Sequence, residues 1–109
     1  MANEIETVQS LAAEGALVAG QVAGGAATRT FVKVHTSYLH EQAASLERKL
    51  WTATVSPSLA ARRRRAASIA AKVERDLGRL QRHPGDREVA RRLELQLGRA
   101  ARQAERLAG

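Results

Sequence analysis

The chain has 109 residues, enough for one domain with one core. Its 44% hydrophobic and 27% charged composition is ordinary for a globular protein and excludes global disorder. With no cysteine, disulfides, thiolate metal sites and cysteine nucleophiles are excluded. The net charge of +7 is unevenly placed: residues 1–55 carry four Lys/Arg against five Asp/Glu, residues 56–109 fourteen against six. The halves therefore stand at −1 and +8, an asymmetry that points to an anionic partner for the second.

The order of apolar residues predicts an all-α, single-domain antiparallel bundle of four helices, near residues 4–24, 30–51, 57–82 and 87–107. In the first, Asn3 is the expected N-cap with Glu6 completing a capping box. Ile5, Val8, Leu11, Ala12, Gly15, Val18, Ala19 and Val22 recur at the helical period, and Gly24-Gly25 ends the run. In the second, Phe31, His35, Leu39, Gln42, Leu46 and Leu50 are expected to share the inner face. Ser56-Pro57 is expected to open the third as N-cap and first helical position. Leu59, Ala66, Ile69, Ala70, Val73, Leu77 and Leu80 then point inward. His83-Pro84-Gly85-Asp86 is a turn, and Asp86 caps a fourth helix with Val89, Leu93, Leu97, Ala100, Ala104 and Leu107 inside. The short turn makes the last two helices a hairpin. Alanine dominates the apolar set, so the core is thin and self-association becomes an expectation.

The N-terminal MANEIE is acidic where a signal peptide is basic, and Leu11 to Ala27 is broken by Glu14 and Gln21. Neither a secretion signal nor a membrane span is expected, and the cytoplasm is the expected compartment.

His35 and His40 are five apart, roughly 140° around a helix, and cannot chelate one metal. His40-Glu41 lacks the second histidine of a zinc-protease motif, since position 44 is Ala. Gly24-Gly25 lacks the upstream glycine and the lysine of a phosphate loop. No catalytic residue, cofactor or metal is expected, and the chain reads as no enzyme. His35 is expected to be a satisfied core histidine; a ligand-binding or enzymatic bundle around His35, Tyr38 and Gln42 is the third-ranked function. Ala16, Gly20 and Gly24 form small-residue steps at which two helices can approach closely.

Arg62-Arg63-Arg64-Arg65 is the most conspicuous run. Arg64, Ser68, Lys72, Arg75, Arg79 and Arg82 fall on one stripe, while Arg62 and Arg63 fall nearer the core side, to cover the bundle end or touch a partner. Arg91, Arg99, Arg102 and Arg106 extend the basic surface on the fourth helix. Glu74, Asp76, Glu94 and Glu105 are expected to neutralise part of it through i,i+4 pairs. The leading function is a non-catalytic bundle, an oligomer or complex subunit, that binds a macromolecular partner through this basic hairpin. The alternative is a nucleic-acid-binding protein whose arginines contact the phosphate backbone.

Residues 88–107, EVARRLELQLGRAARQAERL, resemble the helix-turn-helix of bacterial transcription regulators. Glu88, Val89, Ala90 and Leu93 match its first helix, and Leu95 the apolar residue after the turn. Glu94 stands in place of the turn glycine and Ala100 in place of a larger core residue. The resemblance implies DNA binding, a break after Leu93 and a buried Leu95. A single continuous helix, the reading preferred here, puts Leu95 outside.

Overall fold

The computed structural model describes residues 1–109: helices α1 (Ala2–Ala23), α2 (Arg29–Thr52), α3 (Ala60–Arg82) and α4 (Arg87–Ala108), with a 3₁₀ turn over Pro57–Leu59 before α3. The molecule measures 46 × 21 × 17 Å, the section of two helices by two. No helix is long and apolar enough to cross a membrane.

The termini of the helices follow local chemistry, not always at the expected residue. Thr28 caps α2 by accepting from the Phe31 amide at 3.2 Å. Asp86 caps α4 by accepting from the Glu88 and Val89 amides at 3.1 and 3.0 Å. After α1, Gly25 takes φ +73°, the left-handed conformation that only glycine adopts without strain. Asn3 is no cap: α1 already starts at Ala2, and the Asn3 carbonyl accepts from the Thr7 hydroxyl. Nor does Ser56 cap α3, because its hydroxyl pairs with that of Ser58. The proline opens the 3₁₀ turn instead, which leaves Leu59 37% exposed rather than inward.

Two helix pairs pack most closely, α1 on α4 and α2 on α3. Small residues permit this. Ala12, Gly15 and Ala19 are buried in α1, and Ala90, Ala100 and Ala104 in α4. Ala43 is buried in α2, and Ala66, Ala67, Ala70 and Gly78 in α3. A Cβ on Gly15 would stand 2.9 Å from Leu77 Cδ2 and 3.1 Å from Leu97 Cδ1, so a side chain there would have to displace two buried leucines. The close approach of α1 to the core leucines is therefore at Gly15, one residue before the expected small-residue steps. Of those, Ala16 only flanks the core. Gly20 is covered by the Glu94 carboxylate, and exposed Gly24 meets only carbonyls of its own helix. Leu39, Leu50, Leu77, Leu80, Leu93 and Leu97 fill the space between the pairs.

In α2 the buried face is Val32, Thr36, Leu39, Ala43, Leu46 and Leu50. The expected face was right at Leu39, Leu46 and Leu50 but lay one residue off at Phe31, His35 and Gln42, where Val32, Thr36 and Ala43 are buried instead and Gln42 is exposed. Compact Val32 and Thr36 fit the close α2–α3 contact, where an aromatic ring would not. Thr36 is tolerated there because its hydroxyl donates to the Val32 carbonyl at 2.6 Å. Phe31, Val34 and Tyr38 stay on the surface at 45%, 68% and 59% exposure. His35 is half-buried at the seam with α1 rather than in the core, edge-on to the Phe31 ring, with Nε2 4.0 Å from Glu14.

α4 runs unbroken through residues 93–99, and Leu95 is 62% exposed. That geometry removes the helix-turn-helix resemblance: with no turn there is no separate recognition helix.

Candidate functional site: a cationic groove between α3 and α4

Because α1–α4 and α2–α3 take the closest contacts, the seam between α3 and α4 is looser. Two clefts open along it. The first, about 670 Å³, is lined by Ala61, Arg64, Arg65, Ser68 and Ile69 of α3 and Gln103, Arg106 and Leu107 of α4. The second, about 430 Å³, is lined by Lys72, Arg75, Asp76 and Arg79 of α3 and Gln96 and Arg99 of α4. From Arg64 to Arg79 the row is about 22 Å long at 1.5 Å per residue.

The four-arginine run divides by function. Arg62 donates to the carbonyls of Leu107 and Ala108 at 3.0 and 3.1 Å, at the end of α4. Arg63 donates to the Ala53 carbonyl at 3.0 Å and, more weakly, to that of Trp51 at 3.5 Å, at the end of α2. Both guanidiniums thus satisfy carbonyls that a helix C-terminus leaves orphaned, and sit at the negative end of its dipole. They are structural caps and do not face the groove. Arg64 and Arg65, one step further around α3, do. The groove also collects Lys72, Arg75, Arg79 and Arg99 of the expected contact residues. Arg91 and Arg102 are exposed on α4 but line neither cleft, and Arg82 folds its guanidinium back over Gly78. Arg106, expected on the basic surface, completes the α4 wall with Leu107, Gln96 and Gln103; the steps of three and four residues that the two glutamines make around Arg99 were the available signal.

No lysine or arginine side chain has a carboxylate within 4.0 Å; the carboxylate contacts within that distance are made by the N-terminal amine, His35 and His40. The expected i,i+4 neutralisation does not occur. The acids turn elsewhere: Glu94 lies across Gly20 of α1, and Glu74 faces α2, 3.9 Å from His40 Nε2. Asp76 is the one acid in the groove, 6% exposed, with Oδ2 lacking a hydrogen-bond partner. Burial pushes its carboxyl up, while the charges of Arg79, Arg75 and Lys72 oppose that shift. Arg62 to Arg65 also crowd the first two turns of α3, and no acidic residue in the first turn offsets the positive end of the helix dipole. A bound anion would relieve that repulsion.

The surface around His35 is of a different kind. His35 and Tyr38 line an open apolar depression with Thr30, Phe31 and Val34, whereas Gln42 belongs to a separate polar one beside Asn3 and Glu4. The three residues do not converge on one site. Nowhere do three His, Asp or Glu side chains group closely enough to hold a metal ion.

Compared with protein-family models, curated proteins and solved structures, the chain matches none.

Truncating Arg62 to Ala should lower stability by about 1–2 kcal/mol, as expected for charged hydrogen bonds to a half-buried cap. Arg64→Ala should change it by less than about 0.5 kcal/mol. Urea midpoints compare them, and equal effects would contradict the division of the run.

Glu74 supplies a pH signature. Hydrogen bonding to Glu47, then burial and the Glu47 charge, push its carboxyl up to about 7 from 4.5, against the pull of Arg48. The folded state then holds a proton that the unfolded chain releases near 4.5. Its contribution is fully present below that value and is lost as pH rises through about 7. Glu74→Gln should therefore raise the Tm relative to wild type at pH 8 and leave the difference small at pH 5. A Tm difference independent of pH would show that the pair shares no proton.

Proposed function

We propose that this protein binds nucleic acid through its phosphate backbone, in the groove between α3 and α4. The observation that carries this reading is a row of seven cations along the two clefts, Arg64, Arg65, Lys72, Arg75, Arg79, Arg99 and Arg106, none paired with a carboxylate. Unpaired guanidiniums are ready for bidentate contact with phosphate oxygens. Their linear order over about 22 Å suits a linear polyanion, and favours nucleic acid over an acidic protein surface. Recognition by such a row is electrostatic and carries no base sequence.

Binding of a short labelled oligonucleotide, followed by fluorescence anisotropy, should weaken steeply with salt. With roughly four to seven phosphate contacts, the slope of log K against log salt falls near −3 to −6. Replacing Arg64, Arg75 and Arg79 together by Glu should abolish binding and leave the helical circular dichroism intact. Unchanged binding by that variant would overturn the reading.

A second observation favours self-association as well. Leu17, Phe31, Val34 and Tyr38 are exposed on α1 and α2, across the bundle from the groove. The first half of the chain is nearly neutral, so two copies can meet there without the repulsion that their basic halves would bring. Light scattering should then give a dimer mass for wild type and a monomer mass for Val34→Glu; a monomeric wild type would remove this reading.

A further inference from the structure

We infer that the first cleft of the groove is a nucleobase subsite, so that the protein prefers single-stranded to duplex nucleic acid; this deepens the proposal of phosphate binding and rests on it. The two clefts differ in chemistry. The second has no apolar lining residue at all, only Lys72, Arg75, Asp76, Arg79, Gln96 and Arg99. The first has an apolar floor of half-buried Ile69 and Leu107, with exposed Ala61 beside it, and shares its lining with Arg64, Arg65 and Arg106. Ile69 and Leu107 pack against the core from below, which holds that floor in place.

A phosphate gains nothing from an apolar floor. A nucleobase gains from each part of this cleft. Its flat face covers apolar side chains and stacks on planar guanidiniums, which bind bases as aromatic rings do. Ser68 and Gln103 line the same cleft and supply both donors and acceptors for a base edge. Along α3, Arg65 and Lys72 are about 10 Å apart at 1.5 Å per residue. One strand laid along the groove therefore places a base over Ile69 while its neighbouring phosphates reach Lys72, Arg75 and Arg79. A duplex keeps its base faces stacked and leaves the floor bare.

The test compares, at one salt concentration, a labelled single strand, an abasic strand of equal length with the same phosphates, and the duplex. The single strand should bind about 2- to 30-fold more tightly than the abasic strand, the range a guanidinium over a π-face supplies. Ile69→Asn should bring it down to the abasic level without weakening the abasic strand. Gln103→Ala, which leaves the floor and the core untouched, should lower single-strand affinity alone if Ile69→Asn does not fold. Equal binding of all three probes would overturn the base subsite and leave phosphate binding standing. Failure of all three would remove both. Displacement of the strand by phosphatidylglycerol vesicles, with vesicle binding abolished by Ile69→Asn, would assign the floor to an acyl chain and overturn the inference.

Discussion

Close approach of the helices in two pairs is the constraint on which the rest of this structure depends. A Cβ on Gly15 would have to displace two buried leucines, and alanines line both the α1–α4 and the α2–α3 contacts. Interhelical separation follows the side chains at the contact, so small residues bring backbones together. Two tight pairs cannot both be matched by equally tight contacts around the ring, since the leucines between the pairs keep them apart. The α3–α4 and α1–α2 seams open as a result. One became a cationic groove and the other an apolar surface around Phe31, Val34 and Tyr38.

Charge is sorted by the same geometry. Glu74 and Glu94 each flank a close contact and lie over the neighbouring helix, at His40 and at Gly20. They are drawn away from the groove, where the one acid, buried Asp76, has no guanidinium or ammonium within 4.0 Å. Arg62 and Arg63 are removed from the groove in another way, by the carbonyls at the ends of α4 and α2. Four adjacent arginines thus serve two purposes: two hold the bundle end together, and two face solvent in a repulsive field at the start of α3.

The helices and most of their inward residues were legible in the sequence. The 3.6-residue period is strong in α1, α3 and α4, and the Pro-Gly turn before Asp86 is unambiguous chemistry. The errors lie where two local signals compete. In α2, aromatic Phe31 looks more apolar than Thr36, yet Thr36 is the buried one because its hydroxyl bonds to its own helix and its small volume fits. Leu95 is no error: the continuous helical period, preferred over the short regulator-like string, puts it outside, where it is 62% exposed.

By itself, the sequence determined the helical class, the positions of the turns and the concentration of positive charge in the second half. These rest on interactions within a turn or two of helix, or on composition. Tertiary structure alone decided which seams closed and which opened, because that depends on side-chain volumes brought together from distant segments. It also decided which arginines were free. A guanidinium's partner is set by which carbonyl or carboxylate the fold carries to within about 3 Å, and for Arg62 that carbonyl lies at residue 107, on another helix.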